Sequence, residues 1–186
     1  MTKHDSHAEA LQRDFPAAPL VPALDFARRG IPSHGHSAVD FEQRVNFDRL
    51  REYRISRAVE SLEASGCGAF LLFDFYNIRY TTQTWIGGAL GDKMSRYALL
   101  TRDRKPYLWD FGSAAKHHKL FAPWLEPERS MAGMLGLRGA IHPDVGLMRD
   151  AVTTIKGILT DAGVAEEPIG IDIVEPEFLF EMQRQG

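Results

Sequence analysis

The chain has one cysteine, Cys67, in 186 residues. That excludes an internal disulfide framework and fits a reducing compartment. No apolar run approaches the ~20 residues that cross a bilayer. The first residues, Met1 to Glu9, lack the apolar core of a secretion signal. Positive charge is not in excess, and a net charge of −3 gives no electrostatic reason to expect nucleic acid or an anionic membrane. The Gly-x-Ser-x-Gly, His-Glu-x-x-His and Cys-x-x-Cys motifs are all missing. These absences set the expectations: a cytoplasmic protein with no nucleic-acid partner and no membrane partner.

What is present suits one domain plus an appendage, with 44% hydrophobic and 25% charged residues. Residues 1–40 hold four of the ten prolines, Pro16, Pro19, Pro22 and Pro32. Proline fixes φ and removes a donor, so long helix is excluded there. Phe15, Leu20, Val21, Leu24 and Phe26 suit an extended arm whose apolar residues dock on a surface; a frayed terminus is the alternative. Residues 41–186 are expected to form the folded domain.

Periodicity predicts a helix over 41–65, stopped by Gly66 in a left-handed conformation. Strands are predicted at 69–73, 77–82, 97–101 and 107–111, with Asp74 as a turn residue between the first two. Ser113 is the expected cap of a short helix through Phe121. A further strand is placed at 128–133. A helix over 143–162 has Pro143 in its first turn and an apolar stripe through Val145, Met148, Val152, Ile155 and Leu159. Strand 169–174 and a helix from Pro176 close the chain. Helices alternating with strands, one pair a hairpin, predict an α/β fold with a mixed sheet flanked by helices.

Few residues invite chemistry. His117 and His118 are adjacent on a helix and diverge by ~100°, so a solvated face is expected rather than a metal pair. His34 and His36 in the arm are not expected to form a functional metal site. The run Gly87-Gly88-Ala89-Leu90-Gly91 lacks the Gly-Lys-Ser/Thr ending of a phosphate loop, and instead permits close backbone approach. Cys67 reads as a small residue at the core edge. Asp172, Glu175 and Glu177 read as capping and helix-dipole residues. That leaves Trp85, Arg96, Tyr97, Arg79 and Lys93 beside the Gly-rich loop. Long donors and an aromatic face there could reach a small anionic or zwitterionic substrate, or could simply complete the sheet edge.

Residues 69–82 run Ala-Phe-Leu-Leu-Phe-Asp-Phe-Tyr-Asn-Ile-Arg-Tyr-Thr-Thr. With Arg96 entering a strand and Gly170-Ile171-Asp172 before the last helix, they resemble the amino-terminal domain of the creatinase/prolidase (pita-bread, Xaa-Pro peptidase-like) metalloenzymes. The Asn77-Ile78-Arg79-Tyr80 stretch and a tryptophan-bearing loop look most like the dimethylsulfoniopropionate-lyase-like branch. The resemblance implies a homodimer in which this domain caps the neighbouring active site and touches a small molecule or short peptide. It also implies a dinuclear divalent metal centre in a carboxy-terminal catalytic domain that this chain lacks, and no cofactor in the chain itself. The expectation is a non-catalytic, substrate-capping and dimerising half of a metal-dependent hydrolase or C–S lyase. The alternative is a stand-alone, non-catalytic interaction module of the same fold.

Overall fold

The computed structural model describes residues 45–86, 93–134 and 145–186. The expected arm, the start of the first helix at 41–44, the Gly87–Gly91 loop and Pro143 lie outside these. Helix α1 spans Phe47–Ser65. Asn46 caps it by accepting from the Arg49 amide at 2.9 Å, and Gly66, at φ 73°, ends it. That positive φ is the left-handed stop that favours glycine.

Strand β1 (Ala69–Leu72) follows, and then comes the main departure from the sequence reading. Residues 77–82 are not a strand: Phe75–Thr82 is helix α2. Aromatic and β-branched residues suggested extension, but the buried positions Ile78, Thr81 and Thr82 keep helical spacing. Asp74 is the helix cap rather than a turn residue, and its carboxylate accepts from the Tyr76 and Asn77 amides at 2.9 and 3.1 Å. The helix stops at Gln83, which adopts φ 53°.

Strands β2 (Tyr97–Thr101) and β3 (Tyr107–Asp110) form the predicted hairpin. Helix α3 covers Gly112–Phe121, with Phe111 at the cap position and no side-chain cap bond. Ser113 therefore lies inside the first turn instead of capping it. Strand β4 (Ser130–Ala132), helix α4 (Leu147–Asp161), strand β5 (Ile169–Ile171) and helix α5 (Pro176–Gln185) complete the order.

The sheet runs β4-β3-β2-β1-β5. β2 is antiparallel to both neighbours, whereas β1–β5 and β3–β4 are parallel. The mixed sheet flanked by helices is as expected. Alternation along the strands splits the core in two. Ala69, Leu71, Phe73, Tyr97, Leu99 and Trp109 pack with Val152, Ile155 and Leu159 of α4 and Phe178 of α5. Leu72, Ala98 and Leu108 pack with Ile78 of α2 and with Ala122 and Leu125. Burying each such leucine is worth ~1.5–3 kcal/mol, so both faces of the sheet contribute to stability. No helix among the described residues is long and apolar enough to cross a membrane.

Candidate functional site at the carboxyl edge of the sheet

Four strands, β1, β3, β4 and β5, point the same way, and their carboxyl ends meet the start of β2 at one edge. In open sheets with parallel strands this is where ligands are received. Asp172, just after β5, ties the edge together. One of its oxygens accepts from the Phe73 amide at 2.8 Å and the Ile173 amide at 2.6 Å. The other accepts from the Asp74 amide and Asn77 Nδ2, both at 3.0 Å. Asp172 thus serves the entry of α2 rather than the helix it precedes. Glu175 and Glu177 stand at the cap and first-turn positions of α5, where negative charge complements the dipole.

The five candidate residues separate into two groups. On the outside, Trp85 stands edge-on to Phe75 at 4.3 Å between ring centres, and the Arg79 guanidinium lies over the Trp85 ring at 4.7 Å. Exposed Tyr76 is 6.4 Å from the same indole. Lys93 donates to the Phe73 carbonyl at 3.3 Å, at the end of β1. The indole is thus held among an aromatic edge and a cation, in a cluster that is both aromatic and positively charged.

Tyr97 and Arg96 face inward. Tyr97 is 1% exposed and stacks between Phe73 and Trp109, with ring centres 5.5 and 4.9 Å away. Burial pushes its phenol well above the ordinary range, so it stays neutral. Its ring has no face to offer a ligand in this conformation, and its place is structural.

Arg96 is also enclosed, 3% exposed, with Asp110 at 1% and His118 at 0%. Its Nη2 donates to the Thr84 carbonyl at 3.0 Å and to Thr84 Oγ1 at 2.7 Å. Its Nη1 lies 3.4 Å from Asp110 Oδ2, which also meets His118 Nε2 at 3.1 Å. Because a carboxylate only accepts, Nε2 carries the proton. Burial lowers the Arg96 pKa, and the Asp110 charge opposes that shift. Arg96 Nε and Nη1 and His118 Nδ1 have no hydrogen-bond partner among the described residues.

His118 therefore corrects the expectation of a solvated face, while half-buried His117 packs its ring on Phe121 at 4.5 Å. Asp110 was missed as a site residue and His118 was assigned to solvent. A signal existed: Ala114, His118 and Ala122 recur by four, so His118 stands on the apolar stripe. Gly133 closes the site beneath. A Cβ there would meet the Ser95 carbonyl at 2.5 Å, so only glycine fits this approach. Cys67 is partly buried, a free thiol at the edge of the core as expected.

Among the described residues no three His, Cys, Asp or Glu side chains converge to hold a metal ion.

No family profile and no curated protein matches the chain. Solved structures do. A Xaa-Pro aminopeptidase of Streptococcus pyogenes aligns with a TM-score of 0.51 at 15% identity, covering 74% of this chain and 86% of that one. The creatinase/prolidase-like amino-terminal domain of a candidate metallopeptidase from Corynebacterium diphtheriae aligns at 0.48 and 13%, covering 73% and 87%. A Xaa-Pro dipeptidase of Bacillus anthracis aligns at 0.48 and 11%, covering 72% of this chain but 31% of its own length. The chain thus spans about a third of that dipeptidase.

Proposed function

We propose that this chain, which has the creatinase/prolidase amino-terminal fold, caps the active site of a Xaa-Pro peptidase-like enzyme without carrying out its chemistry. The observation that carries this reading is the Phe75–Arg79–Trp85 cluster at the carboxyl edge, held in place by α2 and by Arg96 beneath. Bond breaking belongs to a separate catalytic domain, where the resemblance puts a divalent metal pair. The substrate is a short peptide or other small zwitterion whose flat or charged end meets Trp85, Arg79 and Lys93. Arg96 supports that surface from behind.

A homodimer, in which each cap closes over its partner's site, and a cytoplasmic location belong to the same proposal. Peptide hydrolysis is preferred to C–S cleavage because the matching S. pyogenes structure is a Xaa-Pro aminopeptidase. The stand-alone interaction module is the competing outcome.

Two observations test this. Residues 1–186 alone should hydrolyse no Xaa-Pro dipeptide, with or without added Mn²⁺ or Zn²⁺; metal-dependent turnover by this stretch would refute the proposal. Reading the gene past the codon for Gly186 should reveal an open frame with spaced Asp, Asp, His, Glu and Glu codons. A stop codon there would select the interaction module.

A further inference from the structure

We infer that Arg96, Asp110 and His118 form a buried strut that fixes the backbone at Thr84 and so holds Trp85 in position. This rests on the reading of Trp85 as the ligand-facing side chain, but the strut has its own observables. Burying three polar side chains is costly, and Asp110 and Arg96 compensate each other only while both keep their partners. Such a cluster is expensive unless its geometry does something that apolar side chains would not.

Here the geometry is directional. Asp110 ends β3, and its Oδ1 accepts from the Phe111 amide at 3.0 Å, which fixes the carboxylate to the sheet. His118 reaches Oδ2 from α3. Arg96, entering β2, carries the connection across to Thr84, two residues beyond the end of α2. Thr84 Oγ1 in turn lies 2.8 Å from Thr82 Oγ1, whose own donor bond goes to the Ile78 carbonyl at 2.7 Å. Trp124 Nε1 donates to the Thr82 carbonyl at 2.8 Å. The segment bearing Trp85 therefore leaves α2 through a chain of side-chain bonds that Arg96 joins to Asp110 by an ion pair at 3.4 Å. On its other flank the Arg96 guanidinium lies 5.0 Å from the centre of the Phe75 ring, the same ring that meets Trp85. Asp110 and His118 are enclosed and act through Arg96 and Thr84, as positioning residues.

The test is residue-resolved amide exchange of the 186-residue chain by NMR, with no ligand present. Asp110→Asn should speed exchange at Thr84, Trp85 and Ile86 by about tenfold or more, and leave Val152–Leu159 of α4 within about twofold. His118→Gln, which keeps a donor toward Asp110, should preserve slow exchange at 84–86, whereas His118→Leu should not. Thr84→Val removes the hydroxyl but keeps the carbonyl that accepts from Arg96, so it should speed exchange at 84–86 by about threefold, less than Asp110→Asn, and it supplies the readout should Asp110→Asn not fold. Unchanged exchange at 84–86, or equal acceleration throughout α4, would overturn the strut. A normal strut in a protein whose Trp85→Ala variant turns over substrate unimpaired would instead refute the capping role and leave the strut standing.

Discussion

A single carboxylate, Asp172, does more for the site than any residue chosen from the sequence for its chemistry. It satisfies three backbone amides and the Asn77 side chain from two elements far apart in the chain. Hydrogen bonds to a charged acceptor are stronger than neutral ones, and the part-buried Phe73 amide loses its partner when the carboxylate is removed. Asp172→Ala should therefore lower stability by about 2 kcal/mol, read from the urea midpoint at unchanged slope. A loss below about 0.5 kcal/mol, the ordinary scatter of surface substitutions, would mean that water replaces the carboxylate without cost. Residue identity alone could not reveal this role, because it depends on the parallel β1–β5 pairing that brings Asp172 beside Phe73. Tyr97 illustrates the converse. Its type suited ligand binding, but alternation along β2 turns it, with Leu99, into the layer under α4 and α5.

Among the elements, those with strong periodicity were legible and those ruled by local capping were not. The stripe through Val152, Ile155 and Leu159 marked α4, and the Arg102–Pro106 stretch marked the hairpin. Residues 77–82 of helix α2 suggest a strand because Ile78, Tyr80, Thr81 and Thr82 are types common in strands. Propensity lost to Asp74 and Asp172, which cap and complement its first turn, and to the burial of Ile78, Thr81 and Thr82. The cap assignments invite a paired test. Asp74→Ala should cost about 1 kcal/mol, as loss of a bonded cap does, whereas Ser113→Ala should change stability by less than about 0.5 kcal/mol. Thermal unfolding followed by circular dichroism compares them directly. Equal costs would mean that Ser113 caps α3 in solution.

At the scale of the whole molecule, the fold class followed from alternating helices and strands, and the mixed sheet from one hairpin. The site followed only in part. Trp85 and Arg79 do meet, and Lys93 lies at the end of β1, but the buried connection through Asp110 and His118 joins residues whose proximity only the strand register creates. Among the described residues, the carboxyl ends of the strands carry an aromatic and cationic cluster. The most direct measurement compares kcat/KM with Tm for Trp85→Ala in the two-domain enzyme proposed above. A cap that touches substrate predicts a fall in kcat/KM of about tenfold or more, or ~1.4 kcal/mol of lost transition-state binding, with Tm nearly unchanged. Intact turnover with a lowered Tm would make Trp85 a packing residue and contradict the account.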